Sequence, residues 1–452
     1  MKNILKITYK KNHKNFIKQL FFGILWILFF FSINIDPENL YNLNFTKLLR
    51  LTVPLLFISF FLIFSFNKNL FFFSNENLFF HSFIIYIVLG IFFTFLNSRI
   101  NSYLNLYWGI LMLCPLIYIY SFKNSSEQLR IFLILSLFLL IIVFCYYFIK
   151  IIFALISADQ LYSLYGVTGL YPNDLDTFDD PSPRSSGLSR MSLILYISFV
   201  IYLITTKKKT YVTNLIFIFA IILGTIGLLF QSRTMNFIFY IFSIFLFIIY
   251  FKKKNLFNKK LIFFFIFVPI IFTLIYMSLV RYKENNPESL KQRQTLSDFI
   301  NQDILSEALL RKSNSENYSS SRFDLWKKIM EISKKNIFLG YGFQADRKLI
   351  KDSAHNVYLY SLISGGFIAM LVIILLSLRG AFTSFLILAD FILSKKNYLT
   401  FDIIPACLVP LFLMRGLLDT SYGIYSIDYL FFIICYFINE VNYRNLSTHT
   451  RD

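Results

Sequence analysis

The sequence predicts an all-α polytopic membrane protein with about 12 transmembrane helices and one large, partly helical polar loop between spans nine and ten. Hydrophobic residues make up 57% of the 452 positions, and phenylalanine supplies 57 residues. Soluble domains contain about 45–50% apolar residues. Repeated runs of about 20 apolar residues suit a hydrocarbon core about 30 Å thick. A water-soluble fold cannot bury so many apolar faces and is excluded.

Twelve apolar runs are long enough to be spans, so the whole chain, 1–452, is predicted to be a single integral membrane domain. The predicted spans are 18–33, 50–66, 78–96, 104–121, 129–157, 188–205, 211–230, 234–251, 261–280, 356–378, 400–417 and 422–439. Residues 379–393 continue the tenth span with a moderately apolar sequence. We expect this continuation to lie at the membrane interface rather than to cross the membrane.

The placement of lysine predicts how these spans are oriented. The N-terminal tail carries six lysines, and three later loops contain Lys207–Lys209, Lys252–Lys254 and Lys395–Lys396. If the spans alternate, all of these loops and both termini lie on one face, which the positive-inside rule assigns to the cytoplasm. The net charge of +19 then reflects topology rather than nucleic-acid binding.

The longest polar segment, residues 281–355, is predicted to be a large extracytoplasmic loop that carries the chemistry. Ser319–Ser321 are expected to cap a helix that runs from Arg322 to about Lys335 and has one apolar side. Gly340 and Gly342 are expected to end this helix and turn the chain back towards the membrane.

Five arginines lie beside span ends on the outer face: Arg184, Arg190, Arg233, Arg322 and Arg415. The positive-inside trend disfavours arginine on that face. A guanidinium keeps its charge in a partly dry site, and its planar fork matches the oxygens of a diphosphate. Ion pairing or snorkelling is the alternative for any single arginine. The set as a whole predicts a diphosphate-binding site.

His355 is the only histidine expected on the outer face, where the loop re-enters the membrane beside Asn356. A neutral imidazole accepts a proton from a sugar hydroxyl near neutral pH. A structural contact is the alternative role for a lone histidine. Together with the arginines, His355 predicts glycosyl transfer from a diphosphate-linked donor, with the arginines offsetting the charge of the departing diphosphate.

The sequence motifs predict neither a metal nor a cofactor. We find no His/Cys cluster, no glycine-rich phosphate loop and no serine-centred triad. The four cysteines lie far apart inside apolar blocks, where we expect them to be small buried residues. The acidic run Asp174–Asp180 offers oxygen ligands for a divalent cation, but a solvated acidic loop is the simpler explanation.

Several short motifs, taken in order, resemble the O-antigen ligase and polymerase domain. They are Arg184 with Gly187, Ser232–Thr234, Ser321–Arg322 with Trp326, Gly340–Gly342, His355–Asn356 with Leu359 and Gly365–Gly366, and Arg415 with Asp419. The resemblance covers residues 184–419, and the first five spans agree only in topology. Arg190 departs from the family pattern, which often has a neutral polar residue at that position.

The resemblance implies a GT-C-like glycosyltransferase of lipopolysaccharide biosynthesis at the periplasmic face of the bacterial inner membrane. Such enzymes move a glycan from undecaprenyl diphosphate to an acceptor sugar, with inversion and without a metal. Carried onto this sequence, Arg233 and Arg322 would bind the phosphates, Arg184 would assist, and His355 would be the base. Lipid A-core would be the acceptor of a ligase, the favoured function, whereas a polymerase would use another lipid-linked repeat unit and some members of the family glycosylate protein.

Two other classes of protein fit parts of the sequence. Asp36 and Glu38 in the first outer loop are the kind of carboxylates that bind a metal and a polyprenyl-phosphate sugar in another class of transferase. Twelve spans also suit a flippase or transporter for lipid-linked glycans. Transporters place charges near the midplane and often contain repeats, whereas the candidate residues here gather on one face and no internal repeat is found. This asymmetry favours the enzyme.

Overall fold

The computed structural model describes residues 23–30, 78–97, 104–122, 125–157, 185–206, 211–229, 233–252, 318–350, 353–394 and 398–449. Within these ranges the backbone forms helices and short turns and no strand, which confirms the predicted all-α class. The chain divides into two compact units. The first consists of Met1–Leu140 with Lys328–Asp452, and the second of Ile141–Lys327.

The described helices are numbered here in chain order. They are α1 (Leu78–Leu96), α2 (Leu104–Tyr120), α3 (Ser126–Ser157), α4 (Ser185–Thr205), α5 (Tyr211–Leu229), α6 (Arg233–Lys252), α7 (Tyr318–Lys334), α8 (Ala345–Leu349), α9 (Val357–Leu393), α10 (Thr400–Gly416) and α11 (Ile427–His449). A 3₁₀ turn, Ser421–Gly423, connects α10 to α11. Residues 23–30 are also helical.

Two described segments are long and apolar enough to cross a membrane, Ser126–Tyr146 and Val357–Leu393. Five further apolar helices are shorter: Phe80–Leu96, Asn105–Tyr120, Ser189–Thr205, Tyr211–Gly224 and Phe237–Lys252. All seven coincide with predicted spans. The predicted spans 50–66 and 261–280 lie outside the described residues. The described part of the protein is therefore all-helical with apolar helices suited to a membrane, and the count of twelve spans stays a prediction.

Helix α9 is the central helix of the first unit and packs against α1, α10 and α11. It is 37 residues long and is kinked at Gly366, where the backbone has φ 73° and ψ −171°. Almost only glycine adopts this conformation, so the residue at the kink is determined by the backbone. Residues 379–393 continue the same helix without a break. Their predicted place at the membrane interface stays a prediction.

Buried tyrosines attach the turn between α10 and α11 to the neighbouring helices. The Tyr86 hydroxyl of α1 donates to the Gly423 carbonyl at 2.7 Å, and the Tyr422 and Ser377 hydroxyls are 2.7 Å apart. The Tyr429 hydroxyl of α11 donates to the Met112 carbonyl of α2 at 2.6 Å. Each of these three tyrosine hydroxyls thus has a partner, as a low-dielectric interior requires. These bonds fix the position of the turn that follows Asp419.

Ion pairs also lie near the opposite end of the first unit. Arg130 of α3 contacts Asp402 at the start of α10 at 2.7 Å. Arg379 of α9 donates to both carboxylate oxygens of Glu440 in α11, at 2.9 Å and 3.1 Å. Charges buried among apolar helices are stable only when paired in this way.

In the second unit, α4, α5 and α6 pack against one another in an up-down-up arrangement. The Ser192 hydroxyl near the start of α4 donates to the Leu223 carbonyl near the end of α5, so these two helices are antiparallel. The Tyr196 hydroxyl of α4 lies 3.2 Å from the Ser243 hydroxyl of α6. Only five residues connect α4 to α5 and only three connect α5 to α6, so these packed neighbours are antiparallel and the starts of α4 and α6 lie at the same end of this unit.

Candidate functional site

The glycine turn after α7 docks onto the kink of α9, which brings together two motifs that are apart in the sequence. The amide of Tyr341 donates to the Ile363 carbonyl at 2.7 Å, and the amide of Gly342 to the Ser364 carbonyl at 2.8 Å. In return, the amide of Phe367 donates to the Ile337 carbonyl at 2.7 Å. At the kink, backbone hydrogen bonds within α9 are replaced by backbone hydrogen bonds to the turn, so these N–H and C=O groups still have partners.

Gly340 and Gly342 form the turn as predicted, with φ values of 61° and 94°. A Cβ added at Gly340 would lie 2.5 Å from the Gly366 amide nitrogen. The prediction that Ser319–Ser321 cap the preceding helix is wrong, because α7 already begins at Tyr318 and these serines lie in its first turn. The helix itself is confirmed and ends at Lys334.

Asp346 of α8 braces the segment that leads to His355. Its carboxylate is buried and accepts hydrogen bonds from the amides of Arg347 and Ala354, both at 2.9 Å. Burial raises the pKa of the Asp346 carboxyl above its ordinary value of 3.8, and the two amide bonds partly oppose this effect. Asp346 was not predicted as a site residue, and nothing in the sequence distinguishes it from other loop acids.

His355 lies immediately before α9 and has φ 47°, which is uncommon for a residue other than glycine. Its side chain is 34% exposed, and Nδ1 lies 3.9 Å from Oδ1 of Asp419. The next residue, Asn356, is the N-cap of α9: its Oδ1 accepts from the Leu359 amide at 3.0 Å. The Asn356 Nδ2 donates to the Leu417 carbonyl at 2.9 Å. Asn356 therefore ties the His355 turn to the end of α10.

Asp419 belongs to a network of charged residues centred on Arg415. Arg415 lies at the end of α10, is only 4% exposed, and its Nη2 contacts Oδ2 of Asp419 at 2.5 Å. Its Nη1 contacts Oδ2 of Asp428, which also accepts from the Ser421 hydroxyl at 2.8 Å. Arg415 thus bridges two carboxylates, and one of these faces the histidine. The predicted contact of Arg415 with a diphosphate stays a prediction.

Three other predicted arginines lie in the second unit. Arg190 is half-buried in α4, and Arg233 is the first residue of α6. Tyr196 and Ser243 are in contact, and each arginine lies towards the start of its helix from that contact: Arg190 by six residues and Arg233 by ten. At a rise of 1.5 Å per residue, both arginines lie near the same end of the unit. Arg322 is half-buried in the first part of α7. Arg184, the acidic run Asp174–Asp180, and the carboxylates Asp36 and Glu38 lie outside the described residues.

Sequence reasoning did not assign roles to Asp419, Asp428 or Ser421. Asp428 offered a signal, because a carboxylate within an apolar span is costly and indicates a buried partner. The expectation for the cysteines holds for Cys114, Cys407 and Cys435, which are buried, and is wrong for Cys145, which is exposed. Among the described residues, no group of three His, Cys, Asp or Glu side chains is arranged to bind a metal.

The described part of the chain is helical and consistent with a membrane protein, and it holds a histidine–carboxylate pair where helices end. Residues 218–374 match the family model described as O-Antigen ligase. This stretch of the chain is therefore similar to the O-antigen ligase domain, which confirms the resemblance found from the motifs and indicates a ligase-type or polymerase-type function. The match includes Arg233, Arg322 and His355, and does not extend to Arg184, Arg190 or Arg415. No curated protein matches the chain.

Proposed function

We propose that this protein transfers a glycan from undecaprenyl diphosphate to an acceptor sugar, most simply as an O-antigen ligase that uses lipid A-core. The observation that carries the proposal is the pairing of His355 with Asp419 at the ends of two helices, in a chain with a stretch similar to the O-antigen ligase domain. A polymerase, which uses another lipid-linked repeat unit as acceptor, is the alternative within the same family.

In this proposal His355 is the general base. Its Nδ1 is turned towards Asp419, so Nε2 accepts the proton of the acceptor hydroxyl. The hydroxyl oxygen then bonds to the anomeric carbon from the face opposite the diphosphate. The bond from that carbon to the diphosphate oxygen breaks, the electron pair leaves with the diphosphate, and the anomeric centre is inverted. The proton stays on His355, where the carboxylate of Asp419 stabilises the imidazolium.

The distance between His355 and Asp419 is that of a loose contact rather than of a hydrogen bond. At 3.9 Å, the contact is longer than the 2.7–3.2 Å that is typical of an N–H···O bond. Catalytic contacts are often long before substrate binds and tighten in the complex. The bridging position of Arg415 supports a role in orienting Asp419, because its buried guanidinium already contacts two carboxylates.

Arg233 and Arg322 are proposed to bind the diphosphate, with Arg184 and Arg190 beside them. The common end shared by Arg190 and Arg233 supports this assignment, since a diphosphate spans only a few ångströms. Arginine suits the task because it can bind two oxygens of the same phosphate and stays charged when partly dry. The proposed reaction uses these charges in place of a metal ion to stabilise the departing diphosphate.

We place the reaction at the periplasmic face of the bacterial inner membrane, with both termini in the cytoplasm. The lysine-rich loops support this orientation. The donor is then a lipid in the outer leaflet, and its sugar reaches His355 at the end of α9.

The experiment is lipopolysaccharide profiling of a deletion strain complemented with the wild type or with His355→Ala. For a ligase, the deletion and the variant lack all core-linked glycan, and lipid-linked glycan accumulates on the outer leaflet. Core that carries a single repeat unit would identify a polymerase instead. Accumulation on the inner leaflet would indicate a flippase and overturn the proposal. Immunoblotting of membranes shows whether the variant is inserted, and wild-type activity in an inserted variant would remove His355 from the mechanism.

A further inference from the structure

The turn that follows α7 exposes three consecutive apolar side chains. Ile337 is 39% exposed, Phe338 is 66% and Leu339 is 51%. The two residues before Asn336 are lysines, Lys334 and Lys335, and both are exposed. A contiguous apolar surface bordered by charge indicates contact with a partner or a membrane, since single exposed apolar residues are ordinary but such groups are not.

Helix α9 carries a continuous apolar stripe on its outer side. The exposed residues recur every three or four positions and are Phe367, Leu371, Ile374, Leu378, Phe382 and Phe385. This spacing places them on one face of the helix. Because α9 is long and apolar enough to cross a membrane, lipid tails are the surroundings that this face requires.

The apolar turn lies directly at the end of this stripe. The amide of Phe367, the first residue of the stripe, donates to the Ile337 carbonyl at 2.7 Å. The carbonyl oxygen of Phe338 packs against Gly366 so closely that a Cβ there would overlap it. The turn and the stripe therefore form one continuous apolar surface that extends from α9 into the loop.

We infer that the turn Ile337–Leu339 inserts into the lipid leaflet at the His355 end of α9. Phe338 and Leu339 would contact the outer part of the acyl chains, and the ammonium groups of Lys334 and Lys335 would lie among the lipid headgroup phosphates. Continuity with the stripe favours bilayer lipid over a second copy of this chain. The inference does not depend on the transfer reaction, and it anchors the segment before His355 at the depth where a lipid-borne substrate arrives.

Spin labels in the full-length protein, reconstituted in bilayers of phosphatidylethanolamine and phosphatidylglycerol, test the depth of the turn. In a Cys145→Ser background, labels are attached at Phe338→Cys and Leu339→Cys. Leu371→Cys on the stripe is the lipid-facing control, and Glu331→Cys, an exposed position of α7, is the aqueous control. Collisions with lipid-soluble oxygen should exceed those with a water-soluble nickel chelate at 338, 339 and 371, and the reverse should hold at 331.

Three results would overturn the inference. Labels at 338 and 339 that collide mainly with the nickel chelate, as at 331, would place the turn in water. Spin–spin broadening that disappears on dilution with unlabelled protein would show that a second copy covers the turn. Loss of oxygen collisions only when a polyprenyl diphosphate is added would identify the turn as a binding surface for the donor lipid. Two labelled positions, both exposed, keep the test valid if one substitution impairs folding.

Discussion

The Nδ1 atom of His355 lies 3.9 Å from Oδ1 of Asp419, and Oδ2 of the same carboxylate contacts Nη2 of Arg415. Asp419 thus connects a half-exposed imidazole to a buried guanidinium, which is itself held by Asp428. The order from solvent to interior is histidine, carboxylate, arginine, carboxylate. This arrangement orients the His355 side chain, which stays 34% exposed and so accessible to a substrate.

The first prediction concerns Asp419. Asp419→Asn keeps the size of the side chain and removes the charge that orients and stabilises the His355 imidazolium. We expect kcat for glycan transfer to fall at least about tenfold, with a much smaller change in KM, because the interaction strengthens as the proton moves. Steady-state kinetics with purified protein and a lipid diphosphate donor provide the measurement.

Asp419→Glu is the matched variant for this prediction, since it retains the carboxylate on a side chain that is one methylene longer. It should keep more activity than Asp419→Asn. If the two variants were equally active, or if Asp419→Asn raised KM alone, the carboxylate would not act through His355.

The second prediction concerns the bridging role of Arg415. Arg415→Lys keeps the positive charge but replaces a planar fork by a single ammonium, which cannot reach Asp419 and Asp428 in the same geometry. We expect a loss of about 1–3 kcal/mol in the free energy of unfolding together with reduced kcat. Thermal unfolding in detergent and the transfer assay measure the two effects.

Arg379→Lys is the control for Arg415, because Arg379 also binds a carboxylate with two nitrogens but lies at the opposite end of the unit. Its side chain is 44% exposed, whereas Arg415 is 4% exposed, so solvent screens the Arg379 charge more and the change to lysine should cost less there. Transfer activity should stay near the wild-type value. Equal loss of activity in both variants would mean that the effect of Arg415→Lys is general destabilisation.

The third prediction concerns the kink of α9. Gly366→Ala places a Cβ against the Phe338 carbonyl at a φ of 73° and a ψ of −171°, a conformation that alanine rarely adopts. We expect destabilisation by more than about 1 kcal/mol and weaker protection of the Tyr341 and Gly342 amides, which bond to the kink. Hydrogen exchange read by mass spectrometry measures that protection.

Gly23→Ala is the control for the kink. Gly23 is helical, and an added Cβ would meet Leu135 at 3.5 Å, an ordinary contact. Alanine favours the helix by about 1 kcal/mol over glycine, so this variant should be as stable as the wild type or more stable. Unchanged exchange at residues 341 and 342 in Gly366→Ala would show that the turn does not depend on the kink.

The fourth prediction concerns pH. Because burial raises the pKa of Asp346, the folded protein binds this proton more tightly than the unfolded chain, whose carboxyl has the ordinary pKa of 3.8. The folded state is therefore favoured as the pH falls through the raised pKa, and this contribution is lost as the pH rises. Asp346→Asn cannot titrate. The free energy of unfolding of the wild type, minus that of Asp346→Asn, should therefore increase as the pH is lowered from about 7 to about 4.

Denaturant unfolding at both pH values measures this difference. Asp324→Asn on the exposed side of α7 is the control and should leave the pH dependence of stability close to that of the wild type. If the difference in the free energy of unfolding between the wild type and Asp346→Asn stayed constant or decreased as the pH was lowered, the pKa of Asp346 would not be raised in the folded protein.

Much of the fold could be predicted because its signals are local. Runs of apolar residues locate α1 to α6 and α9, and Gly340 and Gly342 mark the turn because only certain residues adopt positive φ at no steric cost. Helix starts were less predictable. The serines before Arg322 resemble a cap, but they also fit a first helical turn, and the chain extends α7 back to Tyr318.

The sequence by itself determined the all-α class of the described residues and the resemblance to the O-antigen ligase domain, and it singled out His355 as a candidate base, which stays a prediction. Composition, spacing and short motifs carry that information without reference to packing. The tertiary structure decided that Asp419 faces His355, that Arg415 bridges Asp419 and Asp428, and that the glycine turn is bonded to the kink at Gly366. These partners lie on different segments, so their pairing depends on how α9, α10 and α11 pack, which no local pattern specifies.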